Sequence, residues 1–210
     1  MNCIETQEQM IEVDLNYKLV PKPKSNIKIF ITGDPGAGKS TFARAIQEKI
    51  NIPVYHTDLY MLKDAGSYNS YDFFKNSISN ILESSDCFII DGCSFGDDFE
   101  LFKKIASESD IILNFDSYPQ IAVNSFFKRM EDFKKGGVHI GMNIGDDYCS
   151  PRQFKFFLEY YAKFLGEKEQ RKDFLEEIQH KVVTLRNFED VDRLLITSKK
   201  CLFDKSCFFI

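Results

Sequence analysis

The residues Gly33-Asp34-Pro35-Gly36-Ala37-Gly38-Lys39-Ser40 carry the most specific chemistry in the chain. They fit G-x-x-x-x-G-K-[ST] at every fixed position. Such a match arises by chance in about one chain in a hundred of this length, so the flanks decide its meaning. Ile27 to Ile31 is a short apolar run ending in Thr32, the pattern of a buried strand. After the loop, Phe42, Ile46 and Ile50 recur at i, i+4 and i+8, the stripe of a helix packed on a sheet. Strand, glycine loop and helix together form a cradle whose backbone N–H groups take phosphate oxygens. In that cradle Lys39 reaches the β- and γ-phosphates, Ser40 ligates Mg²⁺, and the positive end of the helix points at the same anion.

Carboxylates and cations elsewhere complete the chemistry such a loop needs. Asp91 closes the apolar run Cys87-Phe88-Ile89-Ile90 and is the candidate second metal group, holding Mg²⁺ through its water shell. Asp91-Gly92 also reads as a plain turn. Asp58, two residues beyond the strand candidate Ile52 to His56, is a candidate base for a substrate hydroxyl. It reads equally as an N-cap for a helix starting at Leu59. His56 reads as a structural histidine. Arg129 and Arg152 are the best candidates for gripping transferring phosphates, since guanidinium pairs with phosphate oxygens bidentately. Between them lies the segment 136–149, with Gly136, Gly137, Gly141 and Gly145, which has the composition of a mobile lid.

The elements that must position these groups alternate. Residues 70–82 carry Phe73, Phe74, Ile78, Ile81 and Leu82 at helical spacing, Phe99, Phe102 and Ile105 mark a short helix, and Ile111 to Phe115 is a strand. A helix from Ser117 to Lys135 has Pro119 in its first turn and Val123, Phe126, Phe127, Met130 and Phe133 on one face. Ser150-Pro151 opens a helix expected to stop at Gly166. A charged helix over about 168–179, the strand Lys181 to Leu185 and a short helix over about 188–196 follow. Alternating strands and helices imply a three-layer α/β/α domain on five core parallel strands, with ligand beyond the strands' carboxyl ends. The domain is expected over 25–198. Residues 1–24, ending in Pro21-Lys22-Pro23-Lys24, read as an extension, and 199–210 as a tail.

Composition bounds the partners. At 210 residues the chain has room for one domain with a good core. A net charge of −5 gives no global attraction for nucleic acid and argues against direct DNA binding. No apolar run approaches the roughly 20 residues of a membrane span. The six cysteines show neither C-x-x-C nor zinc spacing, which fits a reduced, cytoplasmic setting, and Cys87 reads as a buried thiol.

The chain resembles small P-loop kinases of the adenylate-kinase-like group, and within it the bacterial proteins known as DNA topology modulation proteins. The likeness rests on Gly33 to Arg44 (GDPGAGKSTFAR), Pro53-Val54-Tyr55-His56-x-Asp58, Phe88 to Gly92, Asp110 to Asp116, Cys149 to Phe154, and Val182 to Arg186, within about residues 27–196. It implies ATP binding and phosphoryl transfer to a small-molecule or nucleotide acceptor. It also implies Thr41 near the α-phosphate and Arg186-Asn187 near adenine. Other readings stay open: a nucleotide-binding regulatory module without turnover, and a P-loop kinase acting on nucleic-acid ends. The segment after the fourth strand lacks [NT]-K-x-D, which disfavours a regulatory GTPase, and no L-S-G-G-Q segment points to a transporter ATPase.

Overall fold

The computed structural model describes residues 27–64, 67–92, 99–134, 151–186 and 190. Strand β1, Lys28–Gly33, is followed by helix α1, Lys39–Ile50, which ends where Asn51 turns left-handed and bonds back to Gln47. Strand β2 is Val54–His56 and runs straight into the short helix α2, Thr57–Met61. An antiparallel hairpin comes next, β3 at Leu62–Asp64 and β4 at Ser67–Tyr68. Helix α3, Tyr71–Ser84, is capped by Ser70, whose hydroxyl accepts the Phe73 N–H at 3.2 Å. Then come β5 (Phe88–Asp91), α4 (Phe99–Glu108), β6 (Ile111–Phe115), α5 (Pro119–Lys134) and α6 (Pro151–Glu177). A 3-10 turn at Gln179–Lys181 leads to β7, Val182–Leu185.

Five strands form one parallel sheet in the order β2-β5-β1-β6-β7. The period-two alternation of the strands gives the sheet two apolar faces. Phe30, Phe88, Ile90, Ile112 and Val182 face α3, α4 and the end of α6 around Leu175. Ile29, Ile31, Ile89, Leu113, Phe115, Val183 and Leu185 face α1 through Phe42, Ala43 and Ile46. Helices on both faces of a parallel sheet make the expected three-layer α/β/α domain. A satellite cluster of Ala122, Tyr161 and Phe164 joins α5 to α6. No helix among the described residues is long and apolar enough to cross a membrane.

Four local expectations are corrected. Helix α6 does not stop at Gly166 but continues to Glu177, absorbing the charged helix expected at 168–179. Tyr161 and Phe164 before that glycine, and Leu175 after it, all pack on the core. This packing outweighs the roughly 1 kcal/mol that glycine costs inside a helix. On α5, Phe126 is 5% exposed and Phe127 46% exposed, because neighbours about 100° apart cannot both face inward. Cys87 is only half-buried, since β5 begins one residue later. The hairpin β3–β4 was not expected at all. The extension 1–24, the lid segment 136–149 and the tail 199–210 lie outside the described residues, as does nearly all of the helix expected over 188–196.

Candidate active site

The glycine loop leaves the carboxyl end of β1 at the centre of the sheet and enters α1. Gly33 has φ +115°, and a side chain there would run into the backbone of Phe115 on β6. The close approach is fixed by the Asp34 N–H, which donates to the Phe115 carbonyl at 2.7 Å. Gly36, with φ +75°, lies under α5, where an added Cβ would come within 3.0 Å of both Ala122 Cα and Ser125 Cβ. The Ser125 hydroxyl donates to the Gly36 carbonyl at 2.8 Å. Sequence at these positions is therefore dictated by two neighbouring elements as well as by the turn. Gly38 is the N-cap of α1, in the left-handed region and without a side-chain cap. The first N–H groups of α1 have no partner within the helix. Their positive end faces the loop, with no acidic residue in the first turn to offset it.

Lys39 opens α1 and folds back over the loop. Its ammonium donates to the carbonyls of Gly33 at 3.0 Å and Asp34 at 2.7 Å. Burial lowers its pKa, and the carboxylates of Asp91, Asp58 and Asp34 push it back up. The charge of Arg129, from α5, adds to the lowering. Asp58, in the first turn of α2, feels the same groups from the other side. Burial raises its pKa, the negative Asp91 raises it further, and Lys39, Arg129 and His56 lower it. Asp58 is nevertheless open to solvent. Lys39, Asp58, Asp91 and Arg129, distant in sequence, thus share one electrostatic site at the mouth of the glycine loop.

Asp91 ends β5, next to both β1 and β2, with Ile31 and His56 as its register partners. One carboxylate oxygen bonds His56 Nδ1 at 2.6 Å. The other, Oδ1, is buried without a hydrogen-bond partner among the described residues. His56 is buried and tethered to Asp91, as the structural reading of that residue requires. The strand end turns at Gly92, φ +109°, whose N–H donates to the Ile31 carbonyl at 3.0 Å. Asp58 lies within α2 and is not the N-cap of a helix starting at Leu59.

No protein-family model matches the chain, and no curated protein sequence matches it. Among solved structures it is similar to shikimate kinase from Bacteroides thetaiotaomicron. The TM-score is 0.52 at 15% identity, over 84% of this chain and 98% of that one. A gluconokinase from Sinorhizobium meliloti 1021 is similar with TM-score 0.46 and 14% identity, over 87% of this chain and 94% of the other. The chain shares the α/β/α fold of that shikimate kinase structure. Neither of these two structures bears the DNA topology modulation name that the sequence likeness suggests.

Within this fold the remaining expected site residues fall at three places. Pro35, Ala37, Ser40 and Thr41 lie in the loop and the first turn of α1, with Ala37 buried and Thr41 exposed. Arg129 is half-buried on α5 and electrostatically coupled to Lys39 and Asp58. Arg152 is the second residue of α6, directly after Pro151.

Asp34 behaves differently from the rest of the loop. Its carboxylate is buried behind the loop and paired with Lys168 of α6 at 3.1 Å. Burial raises its pKa, and the Lys168 charge and hydrogen bond oppose that rise. Lys168 also pairs with Asp116, after β6, at 2.6 Å. Sequence reading gave no role to Lys168, which stands 134 residues from Asp34 in a run of charges that looks like a solvated helix face.

Proposed function

We propose that the protein is an ATP-dependent phosphotransferase acting on a small-molecule or nucleotide acceptor, with Mg²⁺ as its metal and a cytoplasmic setting. The observation that carries this reading is the convergence of Lys39, Asp58, Asp91 and Arg129 on the mouth of one glycine loop. Backbone N–H groups of Gly36 and of Gly38 to Thr41 would take the phosphate oxygens, aided by the uncapped N-terminus of α1, while the Ala37 N–H donates to the Asp34 carbonyl at 3.3 Å. The Asp34 N–H is already committed to Phe115, so Asp34 supports the loop instead of lending a donor. Lys39 exchanges its two carbonyl partners for phosphate oxygens when nucleotide enters.

The residues present fit a magnesium ion. Asp91 Oδ1 is a buried carboxylate oxygen lacking a partner among the described residues, and Ser40 supplies a hydroxyl at the start of α1. Hard oxygen donors in small number suit Mg²⁺, which completes its shell with water and phosphate. When bound, the ion offsets charge across the β- and γ-phosphates. His56 holds the Asp91 carboxylate in one orientation.

Asp58 takes the proton of the acceptor hydroxyl as its oxygen forms the bond to γ-phosphorus and the bond to the leaving ADP breaks. Its raised pKa makes it a stronger base than a free carboxylate. Arg129 faces the same space and offsets charge on the transferring group. Arg152 and the segment 136–149 close over the phosphates as a lid in this scheme. The likeness of several segments to DNA topology modulation proteins adds no DNA partner, since the net charge is −5.

The test is ADP release from MgATP across a panel of nucleosides, nucleotides and small hydroxy acids. Acceptor-dependent ADP release supports the reading. Nucleotide binding with no acceptor-dependent release across the panel would leave a binding module in its place.

A further inference from the structure

Asp34 is an awkward residue for an anion-binding loop. It adds a negative charge next to the place where polyphosphate would sit, and Lys39 at the loop's mouth senses that charge. The carboxylate is almost wholly buried, 2% exposed, so solvent does little to screen it. Lys168 and Ser117 hold the carboxylate, and Phe115 holds the backbone of the residue. Lys168 Nζ lies 3.1 Å from Asp34 Oδ2, the Ser117 hydroxyl donates to the same oxygen at 3.4 Å, and the Asp34 N–H is bound to Phe115. Lys168 is itself held by Asp116 at 2.6 Å, and Asp116 is fixed by its own N–H to the Leu185 carbonyl at 3.0 Å and by Arg186 at 3.9 Å. The loop, the turn after β6, the end of β7 and helix α6 are thereby tied at one ammonium.

We infer that Lys168 is a positioning residue of the nucleotide site: it cancels the charge of Asp34 behind the loop and pins the loop to α6. The inference rests on the nucleotide reading above and adds a residue that touches neither phosphate nor acceptor. Without Lys168, an uncompensated buried carboxylate would oppose phosphate directly, and the loop would lose its anchor to α6.

Calorimetry on the full chain with two probes, MgATP and inorganic tripolyphosphate, separates the possibilities. Lys168→Met is expected to weaken both probes about tenfold or more, and Lys168→Arg to recover most of the loss. In an Asp34→Asn background, where the charge behind the loop is gone and only the half-exposed Asp116 is left for Lys168 to offset, Lys168→Met should change either affinity by less than about threefold. This comparison stands even if Lys168→Met alone does not fold, since the offending charge is absent from both members of the pair. A folded Lys168→Met that binds both probes like wild type overturns the inference. So does a loss confined to MgATP, or a loss that persists undiminished in the Asp34→Asn background. Wild-type protein that binds neither probe overturns the nucleotide reading itself, whereas wild-type binding leaves only the role of Lys168 at stake.

Discussion

At Asp58 two fields oppose each other: burial and Asp91 disfavour its charge, while Lys39, Arg129 and His56 favour it. The net effect raises its pKa above the ordinary value of 3.8. A folded-state pKa above the unfolded one means that stability falls as pH rises between the two values. Ionised Asp58 therefore costs the ligand-free fold stability at neutral pH. Asp58→Asn should raise the melting temperature slightly at pH 7, a gain that vanishes below about pH 4, where the carboxylate is protonated in both states. The same variant should lower kcat while leaving MgATP affinity nearly unchanged. Asp91→Asn should act differently and raise the Mg²⁺ concentration needed for half-maximal activity, because it removes charge from beside the ion. A magnesium titration of both variants checks the contrast, and matching shifts would remove the base assignment for Asp58. Lys39 was legible from the glycine-loop motif, Asp91 because it closes an apolar strand run, and Asp58 because it follows a strand candidate by two residues. The charge on Lys168 was not, because spacing along the chain carries no trace of a contact made across 134 residues.

Helix α5 is the element that roofs the loop, through Ala122 and Ser125 against Gly36. Ser125→Ala removes one hydrogen bond to a loop carbonyl and should cost about 1 kcal/mol of stability, read by denaturant unfolding. Arg129, on the same helix, should matter to chemistry more than to binding. Under the proposed function, in which Arg129 meets charge that develops in the transition state, Arg129→Ala is expected to lower kcat roughly 10³-fold with little change in MgATP Kd. Loss of affinity equal to the loss of kcat would make Arg129 a binding residue. Most element boundaries were readable to within a residue or two, and β6 matches the apolar run 111–115 at both ends. The misses have physical causes. Gly166 reads as a helix stop, but an added Cβ there would meet nothing within 4 Å, and the helix is held by core contacts on both sides. The hairpin strands span three and two residues, too short to show a period.

Across the whole molecule, the strand order explains why residues far apart in sequence meet. Placing β5 between β1 and β2 puts the carboxyl ends of all three side by side, with Ile31, Asp91 and His56 in register. Alternation of strands and helices made the parallel sheet foreseeable. The order of the strands was not, since it depends on which faces pack together and no single segment records that. The fold so built holds a glycine loop at the centre of the sheet, with Lys39 over it and carboxylates around it. Its central claim is that this loop binds the phosphates of ATP. Calorimetric titration of the full chain with MgATP tests this directly, with Lys39→Ala alongside. The account predicts saturable binding by wild type and a loss of about 1.5–3 kcal/mol in the variant, the worth of a hydrogen bond to a charged group. Wild-type protein that takes up neither MgATP nor MgADP would contradict it.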